Sequence, residues 1–145
     1  MTEAQYTKSI TKLLKHGIYS WKINAAFAKG VPDLWLSGPA ADLWVEVKYL
    51  QAIPKTGRIT PNLSRLQLKW LLARHKEGRN VAVLVGTPHG SFIIKDPVSW
   101  SNGFITNEHN VLTKPEVASE LERLLFLGVH NNEPQVKQSI CQTAN

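Results

Sequence analysis

"GVPDLWLSGPAADLWVEVKY", residues 30–49, holds two short apolar runs joined by Gly38-Pro39-Ala40-Ala41, with Asp33, Glu46 and Lys48 set inside them. Such a turn between runs rich in Leu, Val and Trp predicts a hairpin with strands over 33–37 and 42–49. Successive side chains of a strand alternate between faces. Leu43, Val45, Val47 and Tyr49 therefore share one side with Leu34 and Leu36, while Asp33, Trp35, Ser37, Trp44, Glu46 and Lys48 occupy the other. A symmetric turn pairs Ser37 with Asp42, Trp35 with Trp44, and Asp33 with Glu46. The last pair sets two carboxylates about 4.5–5.5 Å apart at Cβ, which destabilises a sheet unless a positive charge joins them. Lys48 on the same face is one such charge, and a divalent ion that takes oxygen ligands is the other. A slipped register would instead leave an ordinary Glu/Lys pair on a half-exposed face.

Outward from the hairpin, residues 3–16 predict a helix opened by a Thr2/Gln5 capping box, striped by Tyr6, Ile10, Leu13 and Leu14, and closed by Gly17. Residues 18–24 predict a strand. Residues 50–62 predict a loop exposing Lys55 and Arg58, and 63–77 a helix that stops at Gly78. NVAVLVG (80–86) and SFIIK (91–95), separated by TPHG, predict a buried strand and its neighbour. Thr113-Lys114-Pro115-Glu116 is a further capping box and opens a helix over 115–127. The stretch 129–145 is polar and predicts a flexible tail. The order is α-β-β-β-α-β-β plus a C-terminal helix: an α/β fold with a mixed sheet flanked by helices. Residues 1–95 form its core and 96–128 an accessory segment.

Composition narrows the function classes. At 145 residues, with 43% hydrophobic and 19% charged side chains, the chain suits one globular domain. Its single cysteine, Cys141, excludes an internal disulfide framework and a cysteine zinc site. The five histidines lack zinc or HNH spacing, and Glu108-His109-Asn110 lacks its partners. No apolar run approaches a membrane span and no signal-peptide core opens the chain, so the expectation is a cytoplasmic protein. The net charge of +6 is unevenly spread: residues 1–95 hold 14 Lys/Arg against 5 Asp/Glu, and residues 96–145 hold 3 against 6. A block of +9 followed by one of −3 suits a phosphate backbone, whose counterions a basic surface releases.

Pro32-Asp33, twelve intervening residues and Glu46-Val47-Lys48 together resemble the PD-(D/E)XK nuclease motif. The surrounding order of helix, strand, G-x-P-D strand, E-x-K strand, helix and strand matches that superfamily's restriction-endonuclease-like core. "GVPDLWL", "LWVEVK" and a following helix with Gln67 are most similar to the VRR-NUC branch, whose small stand-alone members occur in phages and bacteria. The resemblance covers residues 3–95. It implies a cytoplasmic enzyme of a bacterial or phage-infected cell.

The resemblance also assigns roles. Asp33, Glu46 and the Val47 carbonyl would hold Mg²⁺ or Mn²⁺, with Glu3 of the first helix as a further acid. Glu3 has an alternative explanation, because acids in a first helical turn are favoured by the helix dipole. Lys48 would orient the attacking water or stabilise charge at phosphorus. Gln67 sits within an apolar helical arc, between Leu63, Trp70 and Leu71. An inward amide needs a partner, which the metal centre supplies. The competing reading is a Ser64/Gln67 capping box on a helix that starts late. Lys22, Lys55, Arg58, Arg65 and Lys69 are the candidate DNA contacts, Lys22 pointing either at the metal centre or at a phosphate.

The expectation is a metal-dependent DNA endonuclease. The stand-alone relatives imply structure-selective cleavage of branched DNA such as Holliday junctions, by a homodimer. The alternatives are a sequence-specific or defence nuclease, and a DNA-binding module that kept the fold and lost the chemistry. For the dimer interface, the 115–127 helix offers Val117, Leu121, Leu124 and Leu125, unless that stripe closes the chain's own sheet. The 50–62 loop, with Lys55 and Arg58, is the other part free to reach a junction.

Overall fold

The computed structural model describes residues 1–23 and 29–128. Along the chain run α1 (Glu3–Thr11), β1 (Tyr19–Lys22), β2 (Leu34–Ser37), β3 (Asp42–Tyr49), β4 (Arg58–Ile59) and α2 (Arg65–Lys76). They are followed by β5 (Val81–Thr87), β6 (Gly90–Ile94), α3 (Pro97–Asn102), β7 (Phe104–Ile105), a 3₁₀ turn (Thr106–Glu108) and α4 (Lys114–Leu127). Five strands form one mixed sheet in the order β1-β2-β3-β5-β6, and β4 pairs with β7 in a small second sheet. Among the described strands only β3 and β5 run parallel, and the connection between them carries α2, as a parallel pair requires a long crossover.

The hairpin has the symmetric register, with Ser37 opposite Asp42, Trp35 opposite Trp44 and Leu34 opposite Val45. Its alternation separates two cores. Leu34, Leu36, Leu43, Val45 and Val47 pack with Tyr6 and Ile10 of α1 and with α4. On the other face Val81, Val83 and Val85 pack with Leu71 of α2, Trp100 of α3 and Phe104 of β7. β5 is buried along its whole length, which explains its unbroken apolar run. Tyr6 crosses this sheet over Gly86, where a Cβ would meet the ring at 2.5 Å. Its hydroxyl shares a hydrogen bond with Ser91 Oγ, and burial pushes its pKa up to about 12.

Several boundaries differ from the sequence expectation. The first helix stops at Thr11 rather than at residue 16. Thr7, Ser9 and Thr11 donate their hydroxyls to carbonyls three or four residues back, a competition that weakens a helix. The second helix begins at Arg65, capped by Ser64, so the earlier start at residue 63 is corrected. The 50–62 loop contains β4, and the stretch after Asp96 contains α3 and β7, elements too short to show a period. The 96–128 segment contributes to both cores rather than lying outside them. The α4 stripe is also corrected as a dimer interface: Val117, Leu121, Leu124 and Leu125 are fully buried in the chain's own core. Asn24 of the expected first strand, and the expected flexible tail at 129–145, lie outside the described residues. Among the described residues no helix is long and apolar enough to cross a membrane.

Candidate active site

The site begins with a missing N–H. Gly38 N–H donates to the Ala41 carbonyl at 2.9 Å, which fixes residues 38 and 41 as a hydrogen-bonded pair. In an antiparallel ladder such pairs alternate with non-bonded ones, whose side chains stand closer. Counting along the register, residues 36/43, 34/45 and 32/47 are bonding positions and 33/46 is a close, non-bonding one. Residue 32 is proline, which has no N–H to give the Val47 carbonyl, and β2 begins only at Leu34. The Asp33 side chain takes over part of the ladder. Its Oδ2 accepts the Val47 N–H at 3.1 Å, while its backbone carbonyl accepts from Ile23 on the β1 side at 2.8 Å. The carboxylate is thereby turned onto the edge of β3, where Val47 presents a carbonyl without a ladder donor.

Glu46 stands opposite on the same sheet face and is only 1% exposed. Its Oε1 accepts from Gln67 Nε2 at 2.8 Å and faces Lys48 Nζ at 3.5 Å. Its Oε2 is buried with no donor. Burial, and then the neighbouring Asp33 carboxylate, push the Glu46 pKa up to about 8, with Lys48 partly opposing them. A proton shared between the two carboxyl groups or a bound cation would relieve this arrangement, and the bare carboxylate pair does not.

Gln67 combines the two roles that compete in the sequence. Ser64 N–H donates to Gln67 Oε1 at 2.9 Å, and Gln67 N–H donates to Ser64 Oγ at 3.1 Å. Because the cap engages the amide oxygen, the amide NH₂ is the end that faces Glu46. The capping box therefore aims the amide at the site. The G-x-P-D loop is tied to the same helix turn: Gly30 has φ +89°, and a Cβ there would lie 2.7 Å from the Leu66 carbonyl. Alanine at this position would be both strained and obstructed.

The other candidate residues are more dispersed. Glu3 Oε2 lies 3.5 Å from the Tyr49 N–H, two residues farther along the β3 edge. Among the described residues, no three acidic, histidine or cysteine side chains gather around one point, so Glu3 does not join Asp33 and Glu46 in a ready cluster. Lys22 pairs with Leu34 across β1 and β2, which puts it on the α1 face and away from Glu46 and Lys48. Its reading as a group aimed at the metal centre is corrected. Arg58 Nη1 donates to the Asn102 carbonyl at 2.8 Å and so anchors the end of α3. Lys55, Arg65 and Lys69 are exposed, the last two one turn apart on α2. The sequence reading missed Pro32 as the residue that frees the β3 edge and Ser64 as the residue that orients Gln67. The signal for the first is a proline at a hydrogen-bonding register position, and for the second a Ser-x-x-Gln capping box.

No family model matches the chain and no curated protein matches it. A solved structure does: the 1.6 Å structure of Hjc from Archaeoglobus fulgidus, a Holliday junction resolvase from an archaeal hyperthermophile. It superposes with a TM-score of 0.52 over 81% of this chain and 96% of that one, at 14% identity. The fold is that of the resolvase Hjc. At this identity the likeness is one of fold, and the chemistry has to be read from the residues present. On this chain's Hjc-like sheet, the carboxylate pair stands where β2 stops and β3 runs on.

Proposed function

We propose that this chain is a metal-dependent DNA endonuclease of the PD-(D/E)XK type, VRR-NUC-like in its motif, that cleaves branched DNA such as Holliday junctions. The observation that carries the proposal is the buried Glu46 carboxylate, with one oxygen lacking a donor, beside Asp33 and Lys48. The donor set of two carboxylates and a backbone carbonyl suits Mg²⁺ or Mn²⁺, which take oxygen ligands and retain water. Held by Asp33, Glu46 and the Val47 carbonyl, such an ion would polarise the scissile phosphate and lower the pKa of an attacking water. Lys48, held at the rim of the pair, places a positive charge where negative charge grows on the phosphoryl oxygens. Gln67 fixes the Glu46 rotamer, so the carboxylate needs no rearrangement to bind. Arg65, Lys69 and Lys55 supply exposed cations for the phosphate backbone, and Lys22 does so from the opposite sheet face.

Branched substrate is favoured by the likeness of the fold to that of a Holliday junction resolvase. One chain carries one Asp33/Glu46 pair, and cutting two strands of a junction requires two sites, so the working form is a homodimer. The deciding experiment is cleavage of labelled duplex, flap, single-stranded and four-way junction DNA with and without Mg²⁺. Paired, magnesium-dependent nicks in the junction are expected. Equal cleavage of plain duplex would overturn the substrate, and no cleavage of any DNA would overturn the activity. Light scattering at micromolar concentration tests the dimer, and a monomer that still cuts both strands together would remove it.

A further inference from the structure

The sheet face that carries Asp33, Glu46 and Lys48 also carries a row of aromatic rings, which runs from β1 across the sheet to α2. Trp35 lies two residues from Asp33 and Trp44 two residues from Glu46, so both share the face of the carboxylates. Trp21 stands opposite Trp35 in the β1–β2 ladder, and Tyr19 precedes it on the same face. Ring centroids step from Tyr19 to Trp35 at 6.0 Å, from Trp35 to Trp44 at 6.2 Å, and from Trp44 to Trp70 of α2 at 5.3 Å. The Arg74 guanidinium lies 5.7 Å over the Trp70 ring and ends the row in a cation. The interplanar angles are 64°, 44° and 60°, so no two of these rings form a parallel stack. At the open end Tyr19 is 61% and Trp21 is 52% exposed. Large aromatic side chains on a solvent-facing strand need a reason, since folding alone favours polar residues there.

The geometry points to a stacking platform for the unpaired bases of a single DNA strand leading to the Asp33/Glu46 site. This proposal rests on the nuclease reading above and adds a ligand class to it. Unpaired bases are the occupant because flat rings take flat rings, and the bases of an intact duplex are already stacked on one another. Three strands span about 10 Å across the sheet, enough for two or three successive bases. Charge agrees: residues 1–95 carry 14 Lys/Arg against 5 Asp/Glu, while of the acids on this face Asp42 is taken up by the Trp35 Nε1–H at 2.8 Å. The platform also adjoins the reacting centre, Trp35 lying two residues from Asp33 and Trp44 two residues from Glu46. Such a site would favour junctions, flaps or gaps that present a few unpaired bases over perfect duplex.

The row contains four of the chain's five tryptophans, Trp100 being the buried exception, so intrinsic fluorescence reports directly on it. The probes are an oligothymidylate of about twenty nucleotides and an abasic strand of the same length and charge, both titrated in EDTA so that no cleavage intervenes. Thymidylate is expected to quench the tryptophan emission and to bind at least about tenfold more tightly than the abasic strand. Trp21→Ala and, separately, Tyr19→Ala should shrink that difference while leaving the abasic affinity in place, and Trp21→Phe should restore most of it. Equal affinity of the wild-type protein for the two strands would overturn the platform, and this comparison needs no variant. Conversion of a wild-type dimer into a monomer by Trp21→Ala in light scattering would overturn it too, by showing the face to be an interface between two copies. The nuclease reading fails separately: base-dependent binding with no cleavage of any DNA in Mg²⁺ sinks the enzyme and leaves the platform standing.

Discussion

Pro32 and Asp33 divide a task that a longer strand would perform with its backbone. The proline ends the β2 donors, and the aspartate returns one hydrogen bond through its side chain, which leaves a carbonyl and a carboxylate on one open edge. Glu46 faces them from a buried position, with its pKa raised to about 8. A carboxyl whose folded pKa lies above its unfolded value stabilises the fold fully below the unfolded value, near 4.5, and loses that contribution as pH rises toward 8. The metal-free protein should therefore melt at progressively lower temperature from about pH 5 to pH 8, measured by calorimetry. Glu46→Gln should flatten that decline, because an amide can accept from Gln67 and donate to Asp33. The same substitution should abolish cleavage and leave DNA affinity within about twofold, because the basic surface holds the phosphates. Retained turnover would remove Glu46 from the metal site. Metal affinity should weaken by up to tenfold for each pH unit below about 8, since the ion must displace the Glu46 proton. For Lys48→Ala, the cleavage rate should fall by about a hundredfold or more, with metal affinity at pH 8 little changed. Titration calorimetry showing both lost together would make Lys48 a structural counter-charge.

The elements matter through their ends. α2 has modest amphipathicity, and its first turn does the aiming: the Ser64 cap holds the Gln67 amide oxygen, so the NH₂ meets Glu46. Ser64→Ala should cost about 1 kcal/mol of stability as a lost N-cap. It should also lower cleavage by more than that loss explains, because the Gln67 amide becomes free to turn. Ser64→Thr should restore both, and a variant with unchanged turnover would reduce the capping box to a helix start. α1 shows the opposite case, in which hydroxyls at Thr7, Ser9 and Thr11 bond back into the helix and end it early. In α4 the period survives intact, and its whole apolar stripe goes into the chain's own core.

At the scale of the molecule, charge is segregated along the chain while packing is not. The acidic 96–145 region includes elements that complete both cores, and its Glu122 pairs with Lys15, while Lys55, Arg65 and Lys69 of the basic block stay exposed to a polyanion. Binding to a junction should therefore weaken steeply with salt, with log K against log salt sloping at roughly −4 to −7, equivalent to about five to eight phosphate contacts. A slope shallower than about −2, measured by fluorescence anisotropy, would place the DNA elsewhere than on this basic surface.

The hairpin, its register and the meeting of Asp33 with Glu46 were legible in the sequence because they are local. Period-two alternation and one four-residue turn determine them without reference to the rest of the chain. The buried β5 strand and the starts of α1 and α4 were legible for the same reason, through an unbroken apolar run and through capping boxes. The tertiary structure decided what depends on contacts distant in sequence. It determined that Lys22 belongs to the α1 face, that α4 closes its own sheet, and that Gln67 can cap a helix and hold Glu46 at once. It also aligned Tyr19, Trp35, Trp44 and Trp70, which come from four elements, into one row. Hydrophobic periodicity says which way a side chain faces within its own element, but strand order and helix packing decide which other side chains it finds there.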